Sequence, residues 1–195
     1  MTPERLLASR RLPSRLHHTA FAVRDLERTR RFYEELIGLP LIATYCERSH
    51  IGGAERDYCH CFFGLQDGGA LAFFGWANPA DAEMFVEKGP MSPFTHVAFN
   101  CTAEVQAGIR GRLEAAGYAG TREIDHGYCR SFYVTDPDGM NLEFTLDSEA
   151  VDPAAPPYAA PHAELARWLA GDRTPNNALR TPAPAAAQAA AQAAE

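Results

Sequence analysis

The chain has 195 residues, of which 46% are hydrophobic and 22% charged, and its 18 basic and 25 acidic side chains give a formal net charge of −7. This composition is typical of a globular domain and excludes the basic surface that nucleic acid requires. No apolar run reaches the ~20 residues that span a bilayer, and the N-terminus lacks the apolar segment of a secretory signal. The five cysteines form no CxxC pair, which is typical of reduced thiols. We therefore expect a cytoplasmic protein with no membrane partner.

The first half of the chain predicts the order β-α-β-β-β. An apolar, partly β-branched segment at 16–23 predicts a strand, and Asp25 is placed to cap a helix whose apolar stripe ends before Gly38. The strands that follow are predicted at 40–46, 58–65 and 70–76. The polar segment 47–57, with its two adjacent glycines, predicts a loop.

The second half predicts the same order. A strand is predicted at 93–101, a helix from 102 to about 116, and strands near 121–125, 129–135 and 140–146. The motif His18-Thr-Ala-Phe-Ala recurs as His96-Val-Ala-Phe-Asn, and two copies of one unit explain this repeat better than chance. Each copy alone would expose one face of its sheet, whereas pairing encloses an interior. We therefore predict an α+β fold, in which two tandem βαβββ modules form a cup-shaped mixed eight-stranded sheet.

The composition changes at both ends of this repeat. The predicted divisions are an N-terminal arm at 1–13, a two-module domain at 14–150 with modules at about 14–78 and 92–147, an extension at 151–180, and a tail at 181–195. The extension contains a short amphipathic helix at 162–172. The tail consists largely of Ala, Pro and Gln and is expected to be disordered.

Three residues that can bind metal lie at matched places in the two units. Strand alternation places His18, His96 and Glu143 on the faces opposite the large apolar side chains, among small or polar neighbours. Two imidazoles and one carboxylate form a facial triad, which leaves three positions of an octahedral ion open to substrate and to a third ligand such as O₂. The alternative is two hydrogen-bonded core histidines and a surface glutamate, but the matched positions favour a metal site.

The segments HHTAFAVRDLERTRRFYEELIGL and HVAFN…DPDGMNLEF resemble the vicinal oxygen chelate superfamily, which includes glyoxalases, fosfomycin-resistance enzymes and extradiol ring-cleaving dioxygenases. The resemblance covers about residues 14–147. In that family a histidine opens the first strand of each unit and a carboxylate ends the last strand, so the resemblance implies His18, His96 and Glu143 as metal ligands. The predicted fourth strand, ALAFFGW, has no oxygen ligand, which argues against a four-ligand glyoxalase site.

Three further residues resemble groups near the metal in type I extradiol dioxygenases, here in a single-domain form. His60 is similar to the histidine beside the O₂ position, His126 to the histidine that hydrogen-bonds the substrate, and Tyr133 to the tyrosine near the catechol oxygens. The resemblance implies an Fe(II) enzyme that inserts both atoms of O₂ into a catechol-like aromatic diol. His60 and His126 would be base, acid or oxygen-stabilising groups, and Tyr133 would orient the substrate. Alternatively, His60 is a core residue and Tyr133 an ordinary strand aromatic.

Two other functions stay open. The same ligands, with Mn(II) or another divalent ion as Lewis acid, would serve an isomerase or a thiol or epoxide transferase, because the fosfomycin-type enzymes also have a His/His/Glu site. The second is a non-catalytic protein that binds an aromatic compound or an antibiotic in the cup. The sequence determines neither the diol nor the oligomeric state, and a homo-oligomer is left open.

Overall fold

The computed structural model describes residues 13–88, 92, 94–118 and 121–180. The strands of the first module are β1 His18–Ala22, β2 Leu41–Ile51, β3 Ala54–Gly64 and β4 Ala70–Trp76. Those of the second are β5 His96–Asn100, β6 Arg122–Asp125, β7 Cys129–Thr135 and β8 Asn141–Asp147. The helices are α1 Leu26–Arg30 with its π-helical continuation Arg31–Ile37, α2 Pro79–Phe85, α3 Ala103–Ala115, α4 Pro156–Ala159 and α5 Pro161–Leu169. No helix within these ranges is long and apolar enough to cross a membrane.

Hydrogen bonds join the strands as two mixed sheets of four, with the orders β1-β4-β3-β2 and β5-β8-β7-β6. The outer pairs β1–β4 and β5–β8 are parallel, and the other neighbours are antiparallel. The two sheets thus have the same connectivity. The predicted α+β class and the two tandem βαβββ modules are confirmed, with the eight strands divided between the two sheets.

Helix α1 begins and ends where the sequence predicts. The Asp25 carboxylate accepts hydrogen bonds from the backbone N–H groups of Glu27 and Arg28, which satisfies donors that have no partner within the helix. At the other end Gly38 has φ 93°, a left-handed conformation that glycine adopts at little cost. The helix buries Phe32 and Tyr33 against the first sheet.

The loop predicted at 47–57 is wrong. Strands β2 and β3 continue through this segment and pair up to Ile51 and Ala54, and Gly52 and Gly53 have φ of 58° and 85°. Two consecutive positive φ values suit a two-residue hairpin turn, which follows the twist of the strands. The segment resembles a loop because its side chains are polar, but charged pairs such as Arg48 with Asp57 lie across the two strands and support the pairing.

One hydrophobic core serves both modules. It joins residues of α1 and the first sheet, such as Phe63 and Phe73, to residues of the second sheet, such as Leu142. The buried Tyr33 hydroxyl donates a 2.9 Å hydrogen bond to Asp136 Oδ2. The other carboxylate oxygen of Asp136 accepts from backbone N–H groups of the turn between β7 and β8. A single buried contact therefore connects the helix of one module to the last turn of the other.

The C-terminal extension contains α4 and α5, and α5 corresponds to the helix predicted at 162–172. Its apolar residues Leu165, Trp168 and Leu169 are more than half exposed in the described chain, at 56%, 53% and 74%. The predicted tail at 181–195, and the predicted arm apart from residue 13, lie outside the described residues. Helix α2 was not predicted; Asn78 caps it and Pro79 occupies its first turn, both common start signals.

Tyr33→Phe should lower the free energy of unfolding by about 1–3 kcal/mol, because it removes one donor from a buried carboxylate while keeping the ring. The matched control is Tyr158→Phe, since Tyr158 is 44% exposed; its effect should be within about 0.5 kcal/mol. Urea denaturation followed by circular dichroism measures both. Equal effects of the two substitutions would contradict a stabilising role for the Tyr33–Asp136 contact.

Candidate metal centre

Two of the three predicted ligands meet on the open face of the second sheet. His96 opens β5 and Glu143 lies in the middle of β8, its parallel neighbour, and His96 Nε2 is 2.9 Å from Glu143 Oε2. Glu143 is buried, with 6% of its surface exposed, whereas His96 borders solvent. The two side chains form a polar pair beside the small residue Ala98, the direct cross-strand partner of Glu143 on β5.

The hydrogen bonds of His96 indicate which of its ring nitrogens carries a proton in the neutral ring. Its Nδ1 lies 3.1 Å from the carbonyl oxygen of Phe94, which only accepts, so Nδ1 must carry the proton. In a neutral imidazole Nε2 then presents a lone pair to the Glu143 carboxylate. Two acceptors at 2.9 Å repel each other unless a cation or a second proton lies with them. Metal-binding histidines commonly donate the N–H of their other ring nitrogen to a backbone carbonyl in this way.

The other oxygen of Glu143 is held by hydroxyl groups. Ser131 Oγ and Tyr133 OH both donate to Glu143 Oε1, the latter at 2.8 Å. His126 Nε2 lies 2.8 Å from Tyr133 OH; because the phenol proton goes to Glu143, the imidazole must donate to the phenol oxygen. A chain of donors thus runs from His126 through Tyr133 to Glu143, and it leaves Oε2 directed at His96.

The pKa values of Tyr133 and His126 are shifted in opposite directions. Burial, followed by the hydrogen bond to Glu143 and its charge, raises the pKa of Tyr133, so the phenol keeps its proton and remains a donor near neutral pH. Burial lowers the pKa of His126, although the charge of Glu143 opposes the effect. The lowered pKa favours the neutral imidazole, which has one N–H to donate.

Two residues of this environment were missed by sequence reasoning. Ser131 lies two residues from Tyr133 on β7, so strand alternation could have identified it as a neighbour of Glu143. The Arg122 guanidinium lies 4.7 Å from the centre of the Tyr133 ring and brings positive charge to its face. Nothing in the sequence around Arg122 indicates that contact, which depends on the pairing of β6 with β7.

The remaining predicted residues gather on the first sheet. His18 opens β1, and its ring lies 6.1 Å from that of His60 on β3. His18 Nδ1 is 2.8 Å from His17 Nδ1, and the His60 ring stacks on Phe74 at 3.7 Å. Burial, then the charge of His18, lowers the pKa of His60. His18 and His60 therefore form a second group, on a face lined by aromatic rings.

The described single chain does not unite the two groups. Within the ranges that the structure describes, no three His, Cys, Asp or Glu side chains lie close enough together to hold a metal ion. The first strand of each sheet, β1 and β5, is partly exposed on the face that carries its histidine. His18 and Ala20 are exposed on one sheet, and His96 and Ala98 on the other. Each sheet thus presents an uncovered face that carries part of the predicted site.

The C-terminal extension contacts the loop that bears His126. Asn177 Nδ2 donates a 2.8 Å hydrogen bond to the His126 carbonyl oxygen. Gly127 has φ 80°, and a Cβ there would collide with the backbone of Leu179 and Arg180. The extension therefore packs directly on the backbone beside the Tyr133–Glu143 network, a contact with no signal in the sequence.

The fold agrees with a comparison of the chain with known families. The model of the "Glyoxalase/Bleomycin resistance protein/Dioxygenase superfamily" matches residues 15–144. The chain belongs to this superfamily. The vicinal oxygen chelate resemblance is thus confirmed, and the matched segment contains both groups of predicted site residues but ends before the C-terminal extension.

Individual relatives within the superfamily differ in activity. Glutathione transferase FosA of Serratia marcescens is 29% identical over 147 residues, which are 74% of this chain and 91% of that protein. The fosfomycin resistance protein FosX of Listeria monocytogenes, in a monoclinic crystal form at pH 5.75, has a TM-score of 0.50 and 19% identity, covering 70% of this chain and 94% of FosX. The oxidase ChaP-H2 has a TM-score of 0.49 and 21% identity, with 71% and 98% of the two chains covered.

Gly127→Ala should destabilise the protein more than Gly53→Ala. Both substitutions put a Cβ at a positive φ, of 80° and 85°, but a Cβ at Gly53 meets nothing within 4 Å. We expect about 1 kcal/mol of backbone strain at each position and a further ~1–3 kcal/mol at Gly127 from the collision. Urea denaturation measures the difference. In a chain that ends at residue 175, which lacks Leu179 and Arg180, the two substitutions should destabilise the protein equally. A larger effect of Gly127→Ala in that shortened chain would show that contact with the extension is not the cause.

Proposed function

We propose that the protein is a divalent-metal-dependent enzyme that activates an oxygen-bearing small molecule for attack by a thiol or by water. The observation that supports this most strongly is the His96–Glu143 pair. Its Nε2 and Oε2 atoms are 2.9 Å apart, while the Nδ1 proton of His96 is engaged by a backbone carbonyl. These two acceptor atoms face each other, and the other polar atom of each side chain already has a hydrogen-bond partner. Such a pair is suited to share a cation.

The donor set fits a hard or borderline divalent ion. Imidazole nitrogen and carboxylate oxygen bind Mn(II), Fe(II) and Zn(II), and the ligand types exclude none of these. Such an ion, when bound, would withdraw electron density from a substrate oxygen. The chain's own contribution is to hold Glu143 Oε2 toward His96. Ser131 and Tyr133 do this by donating to Oε1.

A third ligand is needed, and we propose that His18 of a second copy of the chain supplies it. The two ligand-bearing faces are both uncovered, and the described single chain gathers no three candidate ligands. If the first sheet of one copy covers the second sheet of the other, His18 and His60 meet the His96–Glu143 pair. Two such sites form in a dimer with twofold symmetry, which is the most common symmetry of homo-oligomers.

Each of His18→Ala, His96→Ala and Glu143→Ala should abolish stoichiometric Mn(II) binding in equilibrium dialysis, because the two remaining ligands hold the ion weakly. The control is His50→Ala, since His50 is an exposed histidine on β2 paired with Glu55; it should bind Mn(II) like the wild type.

A mixing experiment tests whether the ligands come from two copies. Mixed under conditions that exchange subunits, the His18→Ala and Glu143→Ala proteins should recover binding. A heterodimer restores one of its two sites, since one chain keeps His18 and the other keeps His96 and Glu143. No recovery, with exchange verified by mass spectrometry, would contradict the shared site. Undiminished binding by the Glu143→Ala protein alone would contradict the metal centre itself.

The nature of the relatives favours a transferase or hydrolase over a dioxygenase. FosA is named a glutathione transferase, and the match covers 91% of its length. We therefore propose thiol transfer to, or hydrolysis of, a strained oxygen substrate such as an epoxide, with fosfomycin as the first compound to test. In this reaction the Tyr133–His126 pair would position the carboxylate and could hydrogen-bond a substrate oxygen.

A second candidate, ring cleavage of a catechol-like diol by an Fe(II) form with O₂, is favoured by one contact. His126 Nε2 and Tyr133 OH, both indicated by the dioxygenase resemblance, are 2.8 Å apart beside Glu143. A histidine and a tyrosine in contact can accept and return a proton from a bound diol. His60, on the face that carries His18, would then lie near the O₂ position.

Turnover assays separate the two candidates. The Mn(II)-loaded protein should consume glutathione or open the epoxide of fosfomycin, without O₂ uptake. The Fe(II)-loaded protein should take up labelled O₂ with simple and bicyclic catechols only if the second candidate is right. In that case His126→Phe should keep the metal and slow uptake by about 10²–10⁴-fold, while the His50→Ala control keeps the wild-type rate. Thiol or epoxide turnover that is unchanged after metal removal would contradict the first candidate.

A further inference from the structure

Three thiols lie side by side on the first sheet, on the face opposite His60. Cys46 on β2 is the direct cross-strand partner of Cys59 on β3, and their Sγ atoms are 3.8 Å apart. Cys61 lies two residues further along β3, with its Sγ 3.7 Å from that of Cys59. All three are reduced in the structure. No step of the proposed metal chemistry uses them.

The backbone permits a bond between the first two of these cysteines. Directly opposed residues of an antiparallel pair have Cα atoms about 4.5–5.5 Å apart, which lies within the range that a disulfide spans, about 4.4–6.8 Å. Cys59 and Cys61 are two residues apart on one extended strand, about 6.6–6.8 Å by the rise per residue. That separation is at the upper limit, and their side chains stand parallel. Cys46–Cys59 is therefore the pair whose geometry suits a disulfide.

A small oxidant can reach this pair. A cavity of about 600 Å³ is lined by both Cys46 and Cys59, together with residues such as Arg48 and Trp76. Cys46 is exposed and Cys59 partly exposed, whereas Cys61 is buried. The cavity borders Leu26 at the beginning of α1, and its lining strands belong to the first sheet, whereas the His96–Glu143 pair lies on the second.

We infer that Cys46 and Cys59 form a reversible intramolecular disulfide when the protein meets a hydroperoxide. The Cys46 thiol loses its proton to solvent, and the thiolate attacks one peroxide oxygen. The O–O bond breaks, which leaves a sulfenic acid on Cys46, and the hydroxide or alkoxide that leaves takes up a proton from solvent to become water or an alcohol. The Cys59 sulfur then attacks the Cys46 sulfur, the S–S bond forms, and the hydroxyl leaves with the Cys59 proton as water. The two electrons lost by the two sulfurs are those that the peroxide accepts.

The order of these two steps follows from the surroundings of each thiol. Burial, and hydrogen bonds with Cys61 and Cys46, raise the pKa of Cys59 to about 12, so this sulfur stays protonated and reacts slowly with peroxide. Cys46 is exposed and is oxidised first. Cys59 then acts as the resolving thiol, already within 3.8 Å. Reversible disulfides in reducing compartments are usually catalytic or redox-sensing.

The test treats the reduced, chelator-treated full chain with hydrogen peroxide. Thiol titration should give five thiols before oxidation and two fewer afterwards, and the intact mass should fall by two hydrogen atoms. Trypsin cleaves after Arg48 and Arg56, which lie between the two cysteines, so the two peptides should stay linked only through the disulfide. Dithiothreitol should release them.

Variants identify the sulfurs. Cys46→Ser and Cys59→Ser should each prevent the loss of two thiols, while the matched control Cys61→Ser should behave like the wild type. Glu143→Gln should also form the disulfide, because Glu143 lies on the second sheet and the thiols lie on the first; this separates the inference from the metal centre. Loss of two thiols in Cys46→Ser, a covalent dimer on a non-reducing gel, or an unchanged thiol count in the wild type would overturn it.

Discussion

The buried carboxylate of Glu143 is the constraint on which the candidate site depends. A charged group in the interior must be paired or fully hydrogen-bonded, and this one receives hydroxyl donors from Ser131 and Tyr133 on one oxygen only. Its second oxygen faces the Nε2 of His96. Because Tyr133 gives its proton to the carboxylate, it can receive one from His126. The hydrogen bonds of the site are thus arranged around one buried carboxylate that needs donors.

The shared core explains why His18 and His60 lie apart from His96 and Glu143. The two modules are joined on their helical side, through the Tyr33–Asp136 contact and a hydrophobic cluster that includes residues of both sheets. This arrangement leaves the sheet faces that carry the candidate ligands partly exposed, with His18 on one and His96 on the other. The proposed dimer would bring these two faces together.

One feature beside the candidate site lies outside the segment that the superfamily model matches. The extension that packs on Gly127 and donates to the His126 carbonyl oxygen lies beyond the matched residues 15–144, so the position of His126 depends in part on a segment that the superfamily model does not include. The three thiols on β2 and β3 lie within the matched segment, but on the face away from the site. Chemistry at the thiols and chemistry at the carboxylate are therefore spatially separate.

Local patterns in the sequence determined the modules and the identity of the candidate residues. Alternation along a strand decides which side chains share a face, and the repeat of His18 in His96 indicates equivalent places in two units, so the α+β class and the candidate residues His18, His96 and Glu143 could be predicted. His126 and Tyr133 were indicated only by the resemblance to extradiol dioxygenases. The hairpin at 47–57 could not be predicted, because its polar residues are stabilised by partners on the neighbouring strand rather than by burial.

Only the tertiary structure decided how the units are arranged. The separation of His18 from Glu143, the contact of Asn177 with His126, and the packing of Cys46 on Cys59 all join residues distant in sequence or on different strands. Strand periodicity is a property of neighbouring residues, whereas sheet pairing and module packing are set by which surfaces bury one another, and no local pattern records that choice.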